Sequence, residues 1–310
     1  MSDIINSRSI IKDLIKNGLN VEDKQQLSYY VSNFNYNIFL KGYGKIFIGE
    51  NKRFDKEATD TQIIALYNFD MNMSNHILRW ILQIEKIIST NVVYEAINYY
   101  NIKDHCLLKL NTDTIKNRIL KNLYKVTPKI SYENFLYKMV KYLPSNEISR
   151  DYVEHNKHDD IYKWRNCPLD IMCLTWSFST TFSFMIALNE ELRDGILSTF
   201  GLKAEHIQGF YDFIKNLIDL RNGITHNEII FSKKIKYQSN ELKAMYQFIT
   251  KKSISNELKL INILEIIEFL TKTNKLVNST KYWFKKLNIK TIFKNKVDMI
   301  CGKIGENKYD

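Results

Sequence analysis

The chain has 310 residues but only three prolines and ten glycines. Few breakers, together with long stretches of apolar periodicity, predict a mostly helical protein of the all-α class. Its four cysteines, Cys106, Cys167, Cys173 and Cys301, form no CxxC pair, which fits free thiols in a reducing cytoplasm. No GxxxxGK[ST] phosphate loop, GxGxxG turn or HExxH metal motif occurs, no internal repeat is visible, and no cofactor or metal is implied. The N-terminal stretch MSDIINSRSIIKDL lacks the apolar core of a signal peptide. Long hydrophobic runs are also missing. The nearest approach is Ile171–Leu188, eighteen residues without a charge, but Thr175, Ser177, Ser179, Thr180, Thr181 and Ser183 make it too polar for lipid. It reads as a central helix buried in protein, opened by Pro168, and no membrane association is expected.

What is present is globular: 45% hydrophobic and 13% aromatic residues, enough to build a large core. The formal charge of +11 is uneven. Residues 232–310 hold seventeen lysines, no arginine and seven acids, a net of +10, which leaves +1 for the first 231 residues. A basic C-terminal third suits a phosphate-rich partner, although a general preference for Lys, Ile and Asn accounts for part of it as solvated surface. Two regions are expected: residues 1–231 as a helical domain, and 232–310 as a basic, mainly helical extension packed on it.

In chain order, residues 5–35 read as one or two short amphipathic helices with Ile10, Ile11, Leu14 and Ile15 on one side. Phe34–Gly49 reads as a turn-rich aromatic connector or short hairpin, and Glu50–Asp60 as a polar loop in which Thr59 or Asp60 caps the next helix. That helix runs from Gln62 to about Tyr99, with a stripe of Leu78, Ile81, Glu85, Ile88 and Val92. A lone carboxylate on an apolar face is costly, so Glu85 calls for a partner. Further helical patterns lie around Leu107–Tyr124 and Tyr132–Tyr142. His155, His158 and Asp159 would share a helix face as a conceivable metal set, but a polar surface turn is the favoured reading. Glu190–Gly201 reads as a polar helix end and turn. Beyond 231, Ile254–Lys275 reads as an apolar helix with Leu258, Ile261, Leu264, Ile267 and Leu270. In the final segment, KYWFKKLNIKTIFKNK, Lys281, Trp283, Lys285, Lys286 and Lys290 are candidate RNA contacts: lysines for phosphates and aromatic faces for unpaired bases. The alternative is a buried aromatic helix end with snorkelling lysines.

The stretch with most chemistry is Tyr211–Phe231, YDFIKNLIDLRNGITHNEIIF. Ile214, Leu217 and Ile218 recur at helical spacing, and the stripe extends to Arg221. Arg221 is a permanent cation shaped for phosphate, and His226 can exchange a proton near neutral pH, with Asn222 and Thr225 able to orient them. Such a set suits metal-free cleavage of a phosphodiester. Arg221 and His226 stand about 140° apart on an ideal helix. They would share a site only if Gly223 loosens the turn or if the site spans two helices or two protomers. The plainer alternative is a helix C-terminus with a capping histidine and a surface arginine. Pairing Glu85 with Arg221 would account for both inward charges at once.

These pieces occur in an order that resembles the Abi-like family of bacterial abortive-infection proteins, of the AbiD/AbiF type, within the HEPN superfamily. The resemblance runs through FNYNIFLKGY up to Tyr43, LYNFDMNM at Leu66–Met73, QIEKI around Glu85, PLDIMCLTWSFST at Pro168–Thr180 and LRNGITHNEIIF. It covers about residues 8–231. It implies an all-helical HEPN-like bundle whose Arg-x4–6-His motif is a metal-independent ribonuclease site, usually composite in a dimer and leaving a cyclic phosphate. Arg221, Asn222 and His226 match that motif, and Glu85 matches a recurrent acidic position. Four residues later relatives often carry arginine, and here Ser89 stands. Some AbiF-like relatives associate with a structured small RNA. The function expected is therefore a cytoplasmic, homodimeric endoribonuclease toxin of antiphage defence. Its partner is RNA, as substrate and as a restraining small RNA. The alternative is a non-catalytic RNA-binding scaffold.

Overall fold

The computed structural model describes residues 7–34, 37–99, 169–188, 190–254 and 257–302. The expected helices at 107–124 and 132–142, the His155/His158/Asp159 set and Pro168 lie outside these residues. Among the described residues every regular element is a helix, with two isolated bridges, Asn20 with Thr59 and Ile48 with Phe54, so the fold is all-α. No helix among them is long and apolar enough to cross a membrane.

Numbering the described α-helices in chain order gives α1 Ser7–Lys16, α2 Lys24–Asn33, α3 Asp60–Tyr99, α4 Leu169–Met172, α5 Phe178–Ala187 and α6 Glu190–Thr199. After them come α7 Ile207–Thr225, α8 Asn240–Thr250, α9 Leu260–Thr271, α10 Lys275–Lys286 and α11 Thr291–Cys301. The chain divides into two compact units: Met1–Ile81 with Asp219–Gln238 and Tyr246–Asp310, and Leu82–Ile218 with Ser239–Met245. This division does not fall at the boundary between 231 and 232.

In the first unit, α3 begins where Thr59 Oγ1 accepts the Gln62 amide at 3.4 Å, so Thr59 is the cap. Asp60, fully buried, accepts the Glu22 and Asp23 amides and pins the entrance to α2 against the first turn of α3. Forty residues without glycine or proline keep α3 unbroken. Its buried stripe within this unit is Leu66, Phe69, Asp70, Met73, Ile77 and Ile81, so Leu78 lies at the edge of the stripe and only half-buried. Likewise Ile10, Ile11 and Leu14 of α1 are buried while Ile15 is 45% exposed. The connector after α2 forms no hairpin: it is a π-helical stretch, Asn37–Tyr43, followed by a 3₁₀ turn, Gly44–Phe47. Its aromatics pack inward: Phe39 against Tyr67, and Phe47 against Phe293 of α11 with ring centres 4.7 Å apart. The apolar helix α9 starts at Leu260, later than expected, and buries Ile261, Leu264, Ile267 and Leu270. Glu265 on the same helix is 9% exposed and accepts the Tyr246 hydroxyl and the Lys252 ammonium, both at 2.5 Å.

In the second unit, the expected continuous helix over 171–188 is broken. A short turn of helix, α4, and a 3₁₀ turn, Cys173–Thr175, end at Trp176 in extended backbone. Ser177 then caps α5, its hydroxyl accepting the Thr180 amide at 3.2 Å. The polar residues of that uncharged run therefore act locally: Thr175 bonds back to Met172 O, and Ser177 starts a new helix. Trp176 is buried with its ring 5.0 Å from Phe184. Glu190–Thr199 is a full helix rather than a turn, since Leu192, Ile196 and Leu197 give it an apolar face to bury.

Candidate functional site

The first unit contains the Arg221–His226 cluster. Phe210, Phe213, Ile214 and Leu217 are fully buried along α7, and the stripe continues through Leu220 and Ile224 rather than through Arg221. Arg221 therefore flanks the stripe, half-buried and with its Nε shielded from solvent. Asn222, Thr225 and His226 are exposed.

Gly223 does not loosen the helix, which stays α-helical through Thr225. The helix ends there in a Schellman turn. The Glu228 amide donates to Gly223 O at 2.8 Å, and the Asn227 amide donates to Ile224 O at 3.1 Å. Asn227 adopts the left-handed conformation that closes the motif, at φ 54°. His226 is consequently the residue at the helix cap, its amide bonded to Asn222 O at 3.0 Å and its imidazole outside the last turn. What Gly223 does provide is room. A Cβ there would collide with Lys233 Nζ and Glu228 Oε2, which bond each other across it at 2.5 Å. Lys233 also reaches Asp219 at 3.1 Å, and Lys236 pairs with the same carboxylate. Burial alone would raise the Asp219 pKa, but the two lysines outweigh it and hold it below the ordinary value.

The segment leaving the cap is held from several sides. Asp70 of α3, 1% exposed, accepts the Ile230 amide at 3.0 Å, the Phe231 amide at 2.6 Å and the Tyr43 hydroxyl at 2.7 Å. Burial drives its pKa up to about 6 even though all three donors favour the carboxylate. The Tyr43 phenol, desolvated and facing that carboxylate, is pushed well above its usual range and stays a donor. Cys301 Sγ donates to Phe231 O at 3.2 Å. Ile229 packs over Gly42 so closely that a Cβ at 42 would overlap its Cδ1.

The sequence argument missed this anchor. It treated Glu85 and Arg221 as the inward charges, yet Asp70 falls four residues after Leu66 and three before Met73 on a buried stripe, and the same reasoning would have found it. Glu85 lies in the second unit, half-buried with Oε2 shielded from solvent, and its pairing with Arg221 stays a proposal.

The predicted RNA-contact residues lie on α10 and just after it. Trp283 is half-buried and makes a T-shaped contact with the His76 ring, centres 5.0 Å apart. Lys286 lies over the exposed Tyr282 ring at 4.6 Å, Lys290 is 3.5 Å from Glu57, Lys285 is exposed and Lys281 is half-buried. Among the described residues no group of three or more His, Cys, Asp or Glu could hold a metal.

An all-α protein with an exposed histidine at the cap of its motif helix, a half-buried arginine one turn earlier and an anchored exit segment is the class these features define. The chain belongs to the Abi-like protein family, whose model matches residues 29–232. Membership points to abortive infection, a form of phage defence. No curated protein and no solved structure matches the chain significantly.

Proposed function

We propose that this protein is a metal-independent endoribonuclease of the HEPN type that acts as an antiphage toxin. The observation that supports this reading most is the placement of the Arg221-Asn222-x3-His226 cluster. It sits at an exposed helix end whose exit is fastened to the core by Asp70. A surface histidine with no task would need no such fixture.

In the reaction, the His226 imidazole takes the proton of a ribose 2′-hydroxyl or delivers one to the leaving 5′-oxygen. The 2′-oxygen attacks phosphorus, the P–O5′ bond breaks, and the products are a 2′,3′-cyclic phosphate and a 5′-hydroxyl. The Arg221 guanidinium stabilises the charge that develops on the phosphate oxygens. Asn222 orients one of the two. Because one chain supplies one motif, a homodimer that brings two motifs together completes the site, and a bound small RNA restrains it.

The test is cleavage of RNA in the presence of a chelator, with products analysed for the cyclic phosphate. Wild-type protein cleaves and His226→Ala does not. Cleavage that persists unchanged in the variant, or that stops on chelation, removes the proposal. A second reading, an RNA-binding scaffold, draws on the exposed Tyr282 and Lys285 on α10. It predicts RNA binding without cleavage in both proteins.

A further inference from the structure

Away from the His226 imidazole, the exit segment forms one wall of an open cavity of about 540 Å³, within the size range of small-molecule sites. Three lysines line it from three separate places: Lys45 in the 3₁₀ turn after the π-helical stretch, Lys259 just before α9, and Lys296 on α11. Among the described residues no acidic one lines it, although Lys259 has Glu257 beside it at 3.5 Å. The rest of the lining is mainly apolar, with Phe231, Ile46 and Met299 prominent.

One of the lysines is held at its ammonium, and a second is packed only at the base of its side chain. Lys296 Nζ donates to Ile46 O at 3.2 Å, which uses one of its three N–H donors and leaves the ammonium at the wall. Lys259 is pressed by the end of α11, where Gly302 takes φ 95° and approaches so closely that a Cβ there would lie 2.6 Å from Lys259 Cβ. Met299, a large apolar side chain at the cavity, is 66% exposed, more than any other large hydrophobic among the described residues. None of these residues belongs to the cleavage chemistry proposed above.

Three cations around an apolar floor match a ligand that is anionic at one end and flat and apolar at the other. A bare anion would gain nothing from Phe231, Ile46 and Met299, and an apolar ligand would leave three ammonium groups facing it. We propose that this cavity binds a nucleoside phosphate. Its phosphate lies among Lys45, Lys259 and Lys296, and its base lies against the Ile46–Met299 wall. The same chemistry is offered by a free nucleotide and by the phosphorylated end of an RNA strand. This inference does not depend on the ribonuclease reading, because its test measures binding alone.

The experiment is calorimetric titration of the full-length protein with AMP, adenosine and inorganic phosphate. A 2′-O-methylated tetranucleotide with a 5′-phosphate, which resists 2′-hydroxyl cleavage, is titrated against the same strand with a 5′-hydroxyl. AMP, or the 5′-phosphorylated strand, is expected to bind at least about tenfold more tightly than adenosine, phosphate or the 5′-hydroxyl strand. Binding by AMP assigns the free nucleotide as the source, and binding only by the phosphorylated strand assigns an RNA end. The double variant Lys45→Gln/Lys259→Gln keeps its melting temperature, because both side chains reach solvent, and loses about tenfold or more of that affinity. Lack of binding by both phosphorylated probes at millimolar concentration overturns the proposal. So does phosphate binding as tightly as AMP, or a double variant with wild-type affinity.

Discussion

Two helices of this chain stop in the same way and lead to different things. At the end of α7, Asn227 is left-handed and the amides of 227 and 228 return to Ile224 and Gly223. At the end of α9, Lys272 is left-handed and the amides of 272 and 273 return to Phe269 and Glu268. The backbone solution is identical, so the stop alone says nothing about function. What differs is the exit. After Lys272 the chain enters α10 almost at once, and the half-buried Glu268 carboxylate accepts the Val277 amide at 2.8 Å. After Asn227 the chain runs past a fully buried carboxylate that takes three donors, past Gly42, and past the Cys301 thiol. The exit that follows the exposed histidine is fastened from three places: Asp70 of α3, the close approach at Gly42, and Cys301 of α11.

The largest effect expected separates the two stops by chemistry. His226→Ala should lower RNA cleavage by about 10²- to 10⁴-fold, the usual contribution of a general acid or base, with little change in unfolding midpoint. Thr271→Ala, at the matching position of α9, loses only a hydroxyl bonded to Ile267 O and should leave cleavage untouched. Equal activity in the two variants would make the α7 stop as ordinary as the α9 stop.

Next come the two carboxylates. Asp70→Asn replaces an acceptor oxygen with an NH2 group that must face an amide or hydroxyl donor, leaving buried groups unsatisfied. It should cost about 1–3 kcal/mol in denaturant unfolding. It should also reduce cleavage at temperatures where the fold is intact, because the exit from His226 loosens. Glu268→Gln keeps an acceptor for the Val277 amide and should cost under about 0.5 kcal/mol. Similar losses from both substitutions would remove the contrast.

The Asp70 contribution also has a signature in pH. Its folded pKa, about 6, lies above the unfolded value near 4. Between those values the folded state holds a proton that the unfolded state has released, so stability falls as pH rises. The contribution is fully present below the unfolded pKa and is lost as pH passes the folded one. At about 1.4 kcal/mol per unit the loss amounts to roughly 3 kcal/mol between pH 4 and pH 7. The groups around it, the Tyr43 phenol and the Cys301 thiol, both shift upward and stay neutral across that window. Asp219, held low by Lys233 and Lys236, loses its contribution only as the pH falls toward its depressed pKa, in the opposite sense. The difference between wild type and Asp70→Asn isolates the effect. A flat difference curve from pH 4 to pH 7 would show that Asp70 titrates alike in both states.

The sequence disclosed the elements better than their junctions. Helices α3, α7 and α9 announce themselves by apolar spacing over a dozen or more residues, where many weak preferences add. The Arg221–His226 cluster is legible because its residue types are chemically unusual beside one another. The exit anchor was not read, although the pattern contained it: Asp70 lies on the buried stripe of α3, but its partners are backbone amides 160 and 161 residues away, and amides carry no sequence signature. Whether Gly223 loosens the turn was left open by the spacing; it does not, and instead makes room for a lysine from ten residues on. Likewise the serine and threonine content of 171–188 argued correctly against lipid, but it did not reveal that Ser177 starts a separate helix.

The smallest expected effect returns to the two left-handed residues. An L-residue with a Cβ costs about 1–2 kcal/mol in this conformation, whereas glycine is nearly indifferent to it. Glycine also raises the entropy of the unfolded chain, which takes back about 0.4–1 kcal/mol. For Lys272→Gly the balance is a gain of about 0.5–1 kcal/mol. Asn227→Gly should gain almost nothing, because asparagine tolerates the left-handed region through local hydrogen bonding of its short side chain. Parallel denaturant titrations of the two variants test this difference. An equal gain at both sites would mean that Asn227 is as strained as Lys272 and is kept for a reason other than backbone preference. That would move attention from the Asp70 anchor to the Asn227 side chain itself, next to His226.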